Sequence, residues 1–228
     1  MDPDGLSRQE RVEQLRRRIA AVPAKGELAQ RNRGVVPVPA PLAELLPDGG
    51  LPRGSVTAYS GASSLLLGVL AAVTADGGHA AVLGKPQLGL LAAAEMGADL
   101  RRIALVPRPG PDPVEVAAVL LDGLDLVVCG LGGASVSPSR ARAVVARARS
   151  KGAALIVTDG RWEATKLDID ARVVGYAGLQ AGRGRLRGVE LEVRTRARAA
   201  TRVGRFELRS ARAAVEWVGA QRHLAVAQ

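Results

Sequence analysis

Aromatic side chains are scarce: two Trp, two Tyr and one Phe in 228 residues, 2% of the chain. So few rings exclude the base-stacking platforms that OB-fold and RRM proteins present to single strands. A single cysteine excludes a disulfide framework and suits a reducing compartment. Cys129 sits mid-strand in an apolar run and reads as core. His79 and His223 have no companions at metal-ligand spacing, so neither a metal nor a cofactor is expected. No apolar run reaches the ~18 residues of a membrane span, because Gly, Asp and His interrupt residues 65–84. The acidic, polar opening MDPDGLSRQE is no secretory signal. With 47% hydrophobic residues, a cytoplasmic globular protein is expected.

Acidic residues are few in the C-terminal half. Residues 131–228 carry 19 Lys/Arg against 8 Asp/Glu, whereas residues 40–130 carry 5 against 9. The net charge of +10 is therefore concentrated, as for a protein with a polyanionic or acidic partner. The densest basic feature is Arg183, Arg185 and Arg187, followed by Arg194, Arg196 and Arg198. Arg140, Arg142, Arg147 and Arg149 lie near one side of a helix expected over 138–150. A few phosphate contacts from such arginines give weak, steeply salt-dependent binding. The alternative is a solvated basic face, in a chain whose heavy Ala, Gly, Arg and Val usage suggests a GC-rich genome.

Four segments are expected. In residues 1–25, Ser7 and Glu10 form a capping box opening a helix to about Val22, with Val12, Leu15 and Ile19 on one stripe. Residues 26–54 read as a Pro-rich connector whose one structured piece is a turn around Leu42–Leu46. Residues 55–210 form the body. Apolar strands at 55–59, 79–84, 102–106, 125–129 and 153–158 alternate with helices at 65–75, 87–96, 113–121 and 138–150, the signature of a parallel sheet covered on both faces. Beyond Asp159 the period becomes two, predicting an antiparallel extension at the sheet edge. Residues 211–228 read as a tail helix, with Val215, Trp217, Val218 and Leu224 either facing a partner or closing on the body.

The junction SVTAYSGASSLLLG (residues 55–68) has the outline of a strand–turn–helix phosphate site, G-x-x-x-x-G-K-[ST]. Counted from Gly61, however, Leu66 fills the second glycine position, Leu67 the lysine position and Gly68 the Ser/Thr position. Leucine offers phosphate none of the charge-assisted hydrogen bonds that a lysine supplies, worth roughly 1.5–3 kcal/mol each.

In order and spacing, LPRGSVTAYSG, GGHAAVLG, EMGADLRRIALVPRPGPDPVEVAAVL, LDLVVCGLGGA and GAALIVTD resemble the RecA core over about residues 51–210. The resemblance implies an α/β RecA-like core with a mostly parallel sheet. It also implies that the second metal-binding aspartate is replaced by Gly130, the water-activating glutamate by Pro86 and the sensing glutamine by Gly160, so no ATPase activity is expected. Lys85, beside Pro86, reads as a solvated strand end. RecA's DNA loops correspond to about residues 131–138 and 160–167, where Arg161 and Lys166 are candidate phosphate contacts and Trp162 reads as packed near a strand end. With Arg183, Arg185 and Arg187 these complete the candidate DNA-binding set.

Among relatives without ATP chemistry, the arginine-bearing N-terminal helix, the PVPAPLAELLPDGGLPRGS connector and the altered phosphate turn are most similar to the ImuA-type proteins, in the short actinobacterial form called ImuA′. That resemblance implies a damage-induced accessory role in translesion synthesis, in the cytoplasm and at the nucleoid. The implied partners are an ImuB-type inactive Y-family polymerase homologue, RecA and an error-prone polymerase subunit. Val12, Leu15, Ile19 and the tail apolar residues are the candidate docking sites. Rival readings are a SulA-like cell-division inhibitor, a stand-alone basic DNA-binding module and an active ATPase.

Overall fold

The computed structural model describes residues 34–163, 165–180, 183–197, 200–211 and 214–223. The chain divides at Gly34, and the architecture below is that of the unit Val35–Gln228. The helix expected over 7–22, with Val12, Leu15 and Ile19, lies outside the described residues, as do Arg198, Leu224 and the side chain of Arg183.

Continuous apolar runs form the sheet centre. Ser55–Gly61 (β3), Ala80–Leu83 (β4), Leu126–Gly130 (β6) and Ala154–Thr158 (β8) pair in parallel, with Ile103–Val106 (β5) as the outer strand. Residues 80–83, 126–130 and 154–158 are buried throughout, because helices cover both faces. Ser63–Ala75 (α2) lies on one face with Leu90–Glu95 (α3) beside it. Pro113–Leu120 (α4) and Pro138–Lys151 (α5) cover the other. Local chemistry sets the helix ends: the Asp112 carboxylate accepts the Glu115 N–H at 3.0 Å, and Gly152 ends α5 in the left-handed conformation at φ 64°.

On the other side of β3 the sheet turns antiparallel. Leu167–Gln180 (β10) runs parallel to β3, then Arg183–Ala197 (β11), Ala200–Ala211 (β12) and Ala214–His223 (β13) continue as a meander. The nine-stranded order is β13-β12-β11-β10-β3-β8-β6-β4-β5. The period-2 pattern holds in β11, where Leu191 and Val193 are buried while Glu190 and Arg194 are exposed. Ser135–Val136 (β7) and Arg161–Trp162 (β9) form a separate short parallel ladder.

Two expectations are corrected. The Pro-rich connector is part of the core: Val35–Val36 (β1) pairs with Leu51–Pro52 (β2), Ala40–Ala43 (α1) lies between them, and Val36, Leu42, Leu45, Leu46 and Leu51 are all buried. Proline breaks long elements but permits short ones, and the short pieces between the prolines here carry leucines and valines with a face to bury. Thr195 donates its hydroxyl to the Leu45 carbonyl at 3.0 Å, tying the connector to β11. The tail, read as a helix, is instead strand β13, because Val215 and Trp217 pack inward at a period of two.

At the amino ends of the strands, Asp125 accepts from Arg53 and from the His79 backbone N–H, both at 3.0 Å. Arg53 also reaches the Gly152 carbonyl at 2.8 Å. Replacing Leu42 by Ala should lower unfolding free energy by about 3 kcal/mol, a core-sized loss that a free linker would not show, measured by denaturant titration. Burial pushes the Cys129 thiol up to about 11, so a thiol reagent at neutral pH should label it only as the protein unfolds.

Candidate functional site

Parallel α/β sheets place ligands beyond the carboxyl ends of their strands, and here the β3-to-helix junction at that end is filled by the protein's own groups. Ala62 alone separates β3 from α2, so there is no loop to wrap a phosphate. The helix, expected from residue 65, begins instead at Ser63, and Leu65, Leu66 and Leu67 lie inside it, all buried. Gly61 has φ +97°, and a Cβ there would stand 1.9 Å from the Ala171 carbonyl oxygen, which also accepts the Ala62 N–H at 2.8 Å. The β10 backbone thus lies directly on the junction. Tyr59 donates its hydroxyl to the Ala62 carbonyl, and burial holds that phenol well above its ordinary pKa.

Gly68 meets a different neighbour. A Cβ there would come within 2.2 Å of Trp217 Cζ2 and 3.1 Å of Pro39 Cγ. The indole of β13 rests on the helix and meets Phe206 edge-on, with centroids 5.6 Å apart and an interplanar angle of 64°. Trp217 and Val215, candidates for partner docking, are therefore packed against the protein's own core. Val218 is half-buried and lies opposite Glu207 in the β12–β13 ladder.

At the ends of β4 and β6, Gly84 and Gly130 pack backbone to backbone. A Cβ at either would stand 2.8 Å from the other's carbonyl oxygen, leaving no space for an aspartate at 130. Lys85 is corrected from a solvated strand end to half of an ion pair, with Nζ 2.9 Å from Asp159 Oδ2. Burial works against the Asp159 carboxylate, but hydrogen bonds from Thr158 and Lys85 more than offset it and hold the carboxyl below its usual range. The sequence signal was there: both residues immediately follow apolar strands.

A cleft of about 910 Å³ opens beside this closed site, between the ends of β3 and β8, the β7–β9 ladder and strands β10 and β11. Arg161, Arg172, Arg194 and Arg196 line it with Asp168 and Asp170. Arg196 pairs with Asp168 at 2.7 Å and Arg172 with Asp170 at 2.8 Å, whereas Arg161 and Arg194 make no ion pair with a described residue. Trp162, half-buried in β9, packs against the core beside it. The candidate DNA-binding residues are thus split: Arg161 lines the cleft, Lys166 is exposed just before β10, and Arg185 and Arg187 lie toward the far end of β11. Arg194, not in that set, shares the cleft with Arg161.

Much of the C-terminal basic charge is neutralised locally. On the sheet face Arg205 pairs with Glu192 and Arg209 with Glu207, both at 2.7 Å. On α5, Arg147 pairs with Asp122 and Arg140 with Asp112. Such exposed pairs add little stability and leave the net excess unchanged, but they concentrate it on the arginines without a described partner. Among the described residues no group of three or more His, Cys, Asp or Glu is placed to hold a metal, and no helix is long and apolar enough to cross a membrane.

Residues 44–164 match the family described as the MT3502 N-terminal domain. The chain is 51% identical over 198 residues to the uncharacterized protein Rv3395c of Mycobacterium tuberculosis, covering 83% of this chain and 93% of that one. The crystal structure of the RadB recombinase superposes with a TM-score of 0.53 at 17% identity, over 77% of this chain and 96% of its own. That likeness establishes a RecA-like fold. The Gly68–Trp217 contact predicts that Gly68→Ser lowers stability by about 1–3 kcal/mol. In the Trp217→Ala background the same change should cost markedly less, a non-additivity read from a double-mutant cycle.

Proposed function

The chain belongs to the MT3502 N-terminal domain family, and from that premise we propose that it is a non-catalytic RecA-fold adaptor in damage-induced translesion synthesis. The observation that carries the non-catalytic half is the one-residue passage from β3 to α2, with Trp217 lying where the Ser/Thr position of a phosphate loop falls. A fold that buries Leu65–Leu67 in this helix is complete without nucleotide and has no change to undergo on hydrolysis. The adaptor half rests on the resemblance to ImuA-type proteins. Its proposed partners are an ImuB-type inactive polymerase homologue, RecA and an error-prone polymerase subunit, met in the cytoplasm at the nucleoid. Arg161 and Arg194 in the cleft favour an accompanying contact with nucleic-acid phosphate, weak because two cations release few counterions.

The test uses the full chain, since deleting β13 would uncover α2. Purified protein is expected to bind an ImuB-type partner in a pull-down that survives nuclease, and to neither retain nor hydrolyse ATP. Loss of the interaction on nuclease treatment would reassign the chain as a stand-alone DNA-binding module. Capture of the tubulin-like division protein instead would favour the SulA-like alternative, and ATP turnover would remove the non-catalytic premise.

A further inference from the structure

We propose that the free end of the β10–β11 ribbon is a docking arm for an extended protein segment that is both acidic and apolar. The arm is read from exposure and charge, and holds whether or not the adaptor reading does. β10 is paired with β3 only as far as Ala171 opposite Gly61. Beyond that, residues 172–180 have β11 on one side and no described strand on the other, while β12 joins β11 only from Gly188 onward. The ribbon therefore leaves the body with an open edge of backbone N–H and C=O groups.

Its side chains are not those of a solvated edge. Val173, Val174, Tyr176, Leu179 and Leu186 are 41%, 44%, 60%, 55% and 46% exposed. Two of them continue the body's own apolar face: Tyr176 stands opposite Val189, which stands opposite Leu208, and Val173 stands opposite Leu191, which stands opposite Phe206. Leu208, Leu191 and Phe206 are buried, so the face is covered within the body and bare along the ribbon.

Charge selects the occupant. Residues 171–188 contain four arginines and no Asp or Glu, in contrast to the paired sheet face. Arg185 and Arg187 are exposed and make no ion pair with a described residue. A second copy of the arm would set arginines against arginines. A phosphate backbone would satisfy the arginines but leave five large apolar side chains in water. An extended segment with alternating acidic and apolar residues answers both, adding main-chain bonds at the edge.

The experiment measures fluorescence anisotropy of a labelled peptide alternating leucine and glutamate, about 10 residues long to match a strand, against the full chain. Its controls are a leucine–lysine peptide, single-stranded and duplex DNA, and vesicles of phosphatidylcholine with phosphatidylserine. The acidic peptide should bind and the lysine peptide should not. Tyr176→Ser with Leu179→Ser should weaken binding about tenfold or more. Arg185→Gln with Arg187→Gln should weaken it and flatten its salt dependence. These positions are exposed, so the fold is checked by unchanged Cys129 protection. No peptide binding, or binding indifferent to both pairs of substitutions, overturns the proposal. DNA or vesicle binding tighter than peptide binding, and reduced by the same substitutions, reassigns the arm to nucleic acid or lipid and overturns it equally.

Discussion

Ala62 is the whole of the connection between β3 and α2, and the Ala171 carbonyl holds its N–H at 2.8 Å. From this contact the rest of the sheet end follows. A helix that starts so early brings Leu65–Leu67 into the core, where each buried side chain contributes roughly 1.5–3 kcal/mol. It also draws β10 across the space a phosphate would need, and sets Gly68 under the indole of Trp217. The backbone contact between Gly84 and Gly130 seals the neighbouring strands by the same means, main chain in place of side chain.

The elements most legible in the sequence were those whose burial is one-dimensional. VVC and LIV runs give fully buried strands wherever they lie, and Asp112 and Gly152 mark helix ends through purely local bonds. Features that depend on distant partners were not legible. Nothing in PVPAPLAELL announces that Leu45 will meet Thr195. An alanine-rich stretch around Trp217 fits a helix or a strand equally until β12 is present to pair with it. The strand-to-helix junction was legible at residues 55–68, but its helix was expected from residue 65 and starts at Ser63, because spacing alone does not tell where a helix starts.

Charge shows the same division between count and placement. The arginine excess after residue 131 is plain, yet register decides its meaning: Arg196 opposite Asp168 and Arg205 opposite Glu192 spend their charge within the sheet. What remains uncompensated among the described residues includes the cleft pair Arg161 and Arg194, and Arg185 and Arg187 on the ribbon. This RecA-like scaffold therefore presents two distinct basic surfaces among its described residues.

The packing of Trp217 on α2 and of the connector on β11 sets the order in which this protein can be completed. Helix α2 and the residues before it leave the ribosome early, but their covering strands are translated last; the Thr195–Leu45 bond alone spans 150 positions. Until then an apolar helix and a row of leucines wait without a cover, in a topology dominated by non-local pairs that close slowly. Nascent chains stalled before β13 should therefore be the species that chaperones hold and proteases clear.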